Sequence, residues 1–264
     1  MEITTVVNAH SSPNILLDTL DSILTYVGEK ILVITDSNNK ELNATPLPVP
    51  RIEGFYHNSH RAPYRNVALG LWKAYEMAPD SDWFCYTEYD CLFANSNFKK
   101  SLLLADKNDV WVLGNNSRKD DCQLPLIEAI IKEKIKVHYY VLGCCVFLCK
   151  EFMDRLNEIN FFERLINTTQ HFTEGFFPHY TGYDLSEHLY PTLAVQFGGD
   201  VASFANWDLA TRTWTGNFRQ FPIRWKPELR IEENFKEASI LHPLKTYDHP
   251  IREYHRERRK YGKI

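Results

Sequence analysis

An α/β fold, with a central, mostly parallel mixed sheet flanked by helices, is what this sequence predicts, and three features predict it. Short apolar runs rich in β-branched residues alternate with segments of helical period over the first 165 positions. The early runs are apolar throughout, as in strands covered on both faces, where a half-exposed strand would alternate. Several stop abruptly at polar clusters, Asn8-Ala9-His10, Asp36-Ser37-Asn38-Asn39 and Glu88-Tyr89-Asp90, at the strand ends where open α/β sheets hold ligands.

The first strand is expected over residues 3–7. It runs into a helix start in which Ser12 caps free N–H groups and Pro13 takes the first helical position. Leu16, Leu20, Ile23, Leu24 and Val27 then share one face until Gly28 stops the helix. Residues 31–35 form the second strand, completing a βαβ unit whose crossover should be right-handed. Residues 40–63 carry Pro46, Pro48, Pro50 and Pro63 with little period and read as loop or short edge strand. From Tyr64 the positions Val67, Leu71, Ala74, Tyr75 and Ala78 mark a second helix, closed by Pro79-Asp80 ahead of a strand over residues 83–86.

Beyond that strand the pattern predicts a helix over 97–105, a strand over 110–113 and a helix from 124 to about 135. A two-part strand region over 137–148, broken at Gly143, and a helix over 150–165 follow. Residues 171–182 are irregular and aromatic, 183–190 read as a short helix ended by Pro191, and 195–197 and 201–204 as strands around Gly198-Gly199. The stretch 205–235 holds Trp207, Trp214 and Trp225 with little period. No internal repeat, low-complexity tract or linker interrupts the chain, so residues 1–264 are expected to form one domain.

A net charge of −4 argues against a broad nucleic-acid surface, which needs a dense Lys/Arg face. The one basic concentration is Arg252, Arg256, Arg258, Arg259, Lys260 and Lys263, read as a solvated terminal helix or, alternatively, as a peripheral contact with an anionic membrane. The start of the chain lacks a basic, apolar leader and no run reaches membrane-spanning length, so a cytoplasmic location is expected. The six cysteines show no CxxC spacing; they are expected to be reduced and mostly buried, with neither a zinc site nor a redox pair signalled.

Glu88 and Asp90 carry the sharpest chemistry. Side chains alternate along an extended segment, so these two carboxylates point the same way and converge on one spot while Tyr89 points elsewhere. Such a pair suits Mg²⁺ or Mn²⁺, which is usually held by one or two carboxylates plus substrate phosphates. The alternative is a solvated acidic loop.

Tyr64-Arg65-Asn66-Val67-Ala68-Leu69-Gly70, then Asp82-Trp83-Phe84-Cys85-Tyr86, then Glu88-Tyr89-Asp90, resembles the core of the GT-A glycosyltransferases, a Rossmann-like fold. There an Arg-Asn helix start precedes a strand ending in a metal-binding DxD motif. This sequence departs from the pattern with Glu at the first acidic place, which makes Asp90 the firmer ligand. The resemblance implies nucleotide contacts at Asn8, Ala9, His10 and Asp36, with Arg65, Asn66, Glu88 and Asp90 beside them. An isolated strand-end Asp such as Asp36 is also a common turn-former. Residues 139–148 around Gly143 look like the family's acceptor-side strand pair. Gly182-Tyr183-Asp184-Leu185-Ser186-Glu187-His188 resembles the helix start that supplies the catalytic base, which points to Asp184, with Glu187 second. Asp184, Glu187 and His188 share one helical face, and acids near a helix N-terminus also simply complement its dipole. Ile240-Leu241-His242-Pro243-Leu244-Lys245 resembles the C-terminal segment whose His is a third metal ligand. An imidazole there would tilt preference toward Mn²⁺, and Lys245 would reach a diphosphate oxygen.

The implied activity is metal-dependent transfer of a sugar from a UDP- or GDP-linked donor to a glycan or other hydroxyl acceptor. Residues 1–115 would bind the donor, and 116–264 would hold the acceptor and the tail. Inversion with a carboxylate base is expected, and retention on the same site is the nearest rival. A non-catalytic nucleotide- or carbohydrate-binding protein is a second rival. A sugar-phosphate nucleotidyltransferase ranks behind these, because the turn Asn8-Ala9-His10-Ser11-Ser12-Pro13 has no glycine to cradle phosphates.

Overall fold

The structure, a computed structural model, describes residues 1–55, 63–120, 125–169, 182–204, 206–208, 213–215, 223–225 and 238–261. β1 (Ile3–Ala9), α1 (Pro13–Tyr26), β2 (Ile31–Thr35), α2 (Lys40–Ala44), β3 (Arg51–Glu53), α3 (Pro63–Met77) and β4 (Trp83–Glu88) build the first half. β5 (Leu92–Phe93), α4 (Phe98–Asp106), β6 (Val110–Asp120), α5 (Pro125–Ile131), β7 (His138–Cys149), α6 (Lys150–Glu158), α7 (Phe161–Thr169), α8 (Gly182–Gln196) and β8 (Asp200–Ser203) follow. Short strands β9 (Asn206–Asp208), β10 (Thr213–Thr215), β11 (Ile223–Trp225) and β12 (Ile240–His242) lead to the last helix, α9 (Pro250–Tyr261).

The central sheet has the order β3-β2-β1-β4-β7-β6-β8. β3, β2, β1 and β4 are parallel, β7 runs against both β4 and β6, and β8 is parallel to β6. The predicted mixed, mostly parallel α/β architecture is therefore present. Both faces are covered, which explains the unbroken apolar runs. Phe84 and Tyr86 of β4 point into one core with Val6, Ile34, Leu71, Phe152, Phe161 and Leu193. Trp83 and Cys85 point into the other with Val7, Val33, Leu16, Leu20 and Phe98. Each such ring or aliphatic chain removed from water stabilises the fold by about 1.5–3 kcal/mol. Trp83 is wholly buried, and its ring N–H donates to Asp106 Oδ1 at 2.8 Å.

Several expectations are corrected. Ser12 sits in the left-handed region (φ 42°) and makes no side-chain cap; Pro13 does open the helix. The loop over 40–63 contains α2, capped by Asn39, whose side chain accepts from Leu42 N–H at 2.9 Å, as well as the edge strand β3. The helix over 150–165 is two helices, α6 and α7, separated at Asn160, itself left-handed with φ 51°. Pro191 does not end α8, which continues to Gln196, so residues 195 and 196 are helical, not strand. The short local run around 195–197 was ambiguous because a buried helix segment and a buried strand look alike over three residues. In the region of little period, β9 and β10 pair antiparallel, and β11 and β12 form a small sheet with β5.

The basic run forms a solvated face only in part. Arg252 is fully buried, and Arg259 is nearly so, bonded to Asp18 and Asp21 of α1. Arg256 donates to the Tyr247 carbonyl at 2.8 Å and lies 3.7 Å from Asp18. Lys263 lies outside the described residues. Half of the cations offered for a membrane contact thus face the protein itself. Among the described residues no helix is long and apolar enough to cross a membrane. The five described cysteines are free, Cys149 half-buried and the others buried; Cys122 lies outside the described residues.

Candidate functional site

The parallel register brings three strand ends level. Asn8 pairs with Ile34 of β2 and with Glu88 of β4, and Ala9 with Thr35, so the residues that follow each strand emerge at one edge. Backbone bonds continue past the strands: Asp36 N–H donates to Ala9 O at 3.0 Å and Tyr89 N–H to Asn8 O at 3.1 Å. Asn39 holds the next residue by donating its amide to His10 O at 3.0 Å.

His242 closes the corner from a distant part of the chain. β12 pairs with β5, immediately after the acidic turn, and Leu244 N–H donates to Asp90 O at 3.0 Å. His242 Nε2 consequently lies 2.8 Å from Glu88 Oε2 and 3.3 Å from Asp90 Oδ1. The turn is also fixed from below by Thr19 of α1, whose hydroxyl lies 2.6 Å from Tyr89 O and 2.7 Å from Cys91 O.

Asp90 is 2% exposed, and no hydrogen-bond donor is aimed at its Oδ1 although the His242 ring is within ion-pair reach. Burial opposes the charged form of Asp90, but the His242 ring overcomes it and holds the carboxyl below its ordinary range. Burial likewise opposes a protonated His242, while the bond to the Asp90 carboxylate pushes its protonation upward. Two carboxylates converging on one nitrogen demand positive charge between them. A divalent cation coordinated by the same atoms supplies it. A buried carboxylate oxygen without a donor, beside a second carboxylate and an imidazole, fits a cation of the Mn²⁺ or Mg²⁺ kind.

His10 stands beside this centre, packed edge-on against Tyr89 with ring centroids 4.8 Å apart. Burial lowers its pKa; the Glu88, Asp90 and Asp36 carboxylates pull the other way, and Lys245 adds to the lowering. Asn8, Ala9, His10, Asp36, Glu88, Asp90, His242 and Lys245 therefore share one corner, with Lys245 at its exposed rim. Asp36 Oδ1 accepts from Asn38 N–H at 2.9 Å, so one of its oxygens forms the local turn.

Arg65 and Asn66 have other occupations. The Asn66 amide accepts from Phe55 N–H at 2.7 Å and donates to Phe55 O at 3.1 Å, and the residue is 1% exposed. It secures the chain between β3 and α3. The Arg65 guanidinium lies over the Phe55 ring, 3.8 Å from its centroid.

On the other side of the corner, Cys145 of β7 pairs with Thr87, which places Gly143 and Cys144 beside the acidic turn. Gly143 N–H donates to Glu187 Oε1 at 2.8 Å, and the Tyr140 hydroxyl also bonds that carboxylate. Burial, then Glu187, pushes the Tyr140 phenol far above its normal range, so it remains a neutral donor. Asp184 lies in the first turn of α8, and its side chain lies outside the described residues. Cys91 is the neighbour that sequence reasoning missed: its sulfur lies with an Asp90 oxygen and a His242 nitrogen, all within 4.8 Å of one another. Its place directly after Asp90 was visible, but a search for paired-cysteine spacing passes over a single thiol.

No family model matches the chain, and no curated protein matches it. Among solved structures it is similar to a crystal structure of a glycosyltransferase involved in the glycosylation of the major capsid of PBCV-1, with 10% identity, covering 95% of this chain and 99% of that one, TM-score 0.49. It is also similar to a cytidylyltransferase from Leptospira borgpetersenii serovar Hardjo-bovis (14% identity, 60% of this chain and 65% of that one, TM-score 0.35). A third likeness is to a structure described as mannose-1-phosphate geranyltransferase from Thermus thermophilus (12% identity, 63% and 65%, TM-score 0.39). With identities and scores this low, these likenesses carry no chemistry over to this chain.

Proposed function

We propose that the chain is a metal-dependent glycosyltransferase that moves a sugar from a nucleotide-sugar to a hydroxyl acceptor, with inversion. The observation that carries the reading is the convergence of Glu88, Asp90 and His242 on one point at the level edge of β1, β2 and β4, with a buried Asp90 oxygen no donor serves. Asp90, His242 and Glu88 would hold the cation, Mn²⁺ in preference to Mg²⁺ because of the imidazole. Such a cation, when bound, acts as a Lewis acid for the negative charge of a departing nucleoside diphosphate.

The remaining roles belong to the chain's own groups. Asn8, Ala9 and His10, with Asp36, line the edge where a base and ribose would lie, and exposed Lys245 offers an ammonium to diphosphate oxygens. Glu187 already accepts from Gly143 N–H, and the Tyr140 hydroxyl bonds the same carboxylate. The general base is assigned to Asp184, and Glu187, already committed to Gly143 N–H of β7, is assigned to holding that strand beside the acceptor. The glycine-free turn after β1 weighs against nucleotidyl transfer.

Binding of UDP and GDP, with and without Mn²⁺, to the wild type and to Asp90→Asn tests this. Mn²⁺-dependent binding of one nucleotide that the substitution abolishes is the expected result. Binding indifferent to both the cation and residue 90 defeats the reading. A bound nucleotide-sugar that is neither transferred nor slowly hydrolysed would instead establish a non-catalytic binder.

A further inference from the structure

We propose that Asp90, Cys91 and His242 form a thiolate-containing zinc site overlapping the transfer centre, so that zinc takes an added sulfur ligand and excludes manganese. The inference rests on reading this corner as a cation site and is independent of sugar transfer.

The geometry supplies an oxygen, a sulfur and a nitrogen donor within 4.8 Å of one another, all on buried residues. In a tetrahedral zinc centre, bonds of about 2.0–2.3 Å place ligand atoms roughly 3.3–3.8 Å apart, so an inward shift on the order of 1 Å closes the set. Glu88 Oε2 lies 2.8 Å from His242 Nε2 and so borders the same corner. Asp90 Oδ1 is buried without a hydrogen-bond partner, so the site has unmet coordinating capacity beyond its internal pairings.

The mixed donor set decides the metal. Oxygen-only sites suit Mg²⁺ and Mn²⁺, whereas a thiolate with an imidazole selects zinc. Manganese is held by the hard oxygens and the ring and gains little from sulfur. Cys91 is placed to respond: its sulfur is 3.2 Å from Cys144 O, to which it donates, and the Thr19 hydroxyl holds its carbonyl at 2.7 Å. On zinc binding the Sγ–H bond breaks, an Sγ–Zn bond forms and the proton leaves to solvent; the ring coordinates as neutral imidazole and releases any proton it carries. No oxidation is involved.

The test uses the full chain loaded with one equivalent of zinc, or with cobalt as its coloured stand-in. Sulfur in the zinc shell by X-ray absorption and a sulfur-to-cobalt charge-transfer band are expected in the wild type and in Cys144→Ser. Cys91→Ser should lose both and bind zinc at least about tenfold more weakly, since loss even of an outer partner costs roughly 10–100-fold. Adding zinc to manganese-loaded protein should return the free Mn²⁺ resonance signal. Wild type without sulfur ligation, or Cys91→Ser that retains it, overturns the proposal. Should Cys91→Ser fail to fold, persistence of the sulfur shell in each of Cys85→Ser, Cys144→Ser and Cys145→Ser assigns it to Cys91 among these buried thiols, and its loss in any one refutes that assignment. Sulfur ligation without Mn²⁺-dependent nucleotide binding would sink the transferase reading alone; the reverse pattern would sink only the zinc site.

Discussion

Arg252 donates from Nη1 to Asp18 Oδ2 at 2.6 Å, both side chains almost wholly shielded from water, and so ties the last helix to the first. The same guanidinium donates from Nε to Leu244 O at 3.0 Å and from Nη2 toward Thr19 Oγ1 at 3.3 Å. Leu244 in turn donates its N–H to Asp90 O, and Thr19 holds Tyr89 O and Cys91 O. A single buried cation therefore connects α1, α9, the His242 segment and the acidic turn.

Asp18→Ala leaves that cation without its carboxylate. Breaking a buried pair typically costs about 3–5 kcal/mol, whereas replacing both partners by apolar groups is often far cheaper. Urea unfolding should show Asp18→Ala destabilised by about that amount and Asp18→Leu/Arg252→Met by less. A loss within about 1 kcal/mol for Asp18→Ala would mean that the pair is solvated, as surface pairs are.

Cation removal is expected to register in stability as well as in binding. A ligand at about 100 times its dissociation constant adds roughly 2.7 kcal/mol, equivalent to a rise in melting temperature of about 5 °C or more for a chain of this size. Mn²⁺ should produce such a rise in the wild type, chelator should reverse it, and Asp90→Asn should show none. Glu88→Gln, which keeps Asp90 and His242, should retain part of it.

The strands and the acidic corner were legible because they are written locally. Apolar runs such as Ile31–Thr35 have one solution when both faces are covered, and Glu88 and Asp90 share a side by simple alternation. His242 was legible only through resemblance, since nothing near it in sequence states that β12 will pair with β5. The role of α9 was illegible for the opposite reason: Arg252 and Arg259 look like part of a solvated charge run until Asp18 and Asp21, more than 230 residues away, are seen to receive them. Pro191 misled because it usually ends a helix, while here α8 continues on packing against β7 and β8.

A pH effect should follow from His255, buried in α9. Burial, then the neighbouring Arg258 and Arg259 charges, lowers its pKa to about 4. The unfolded chain protonates this ring near 6.5, so the folded state is favoured in full above that value and progressively loses the advantage as pH falls from about 6.5 to about 4. The whole leg is worth on the order of 3 kcal/mol. His255→Leu should flatten stability against pH across that window by up to one proton, as read from urea unfolding at a series of pH values. An unchanged slope would show that the ring charges freely within the fold.

Gly143→Ala probes the acceptor side without touching the cation corner. A methyl group there would meet Glu187 Cγ at 2.9 Å and Oε1 at 3.4 Å, so the Glu187 side chain or one of the two elements must shift and the 2.8 Å bond from Gly143 N–H is strained. Crowding of this kind costs about 1–3 kcal/mol. If Glu187 shapes the acceptor subsite, the loss falls on turnover: kcat should drop about tenfold or more, which is about 1.4 kcal/mol of barrier, while Mn²⁺-dependent nucleotide affinity stays within about twofold. Equal losses in nucleotide affinity and turnover would place Glu187 on the donor side. Unaltered kinetics in a variant whose Gly143–Glu187 bond is lost would show that Glu187 has no part in the site.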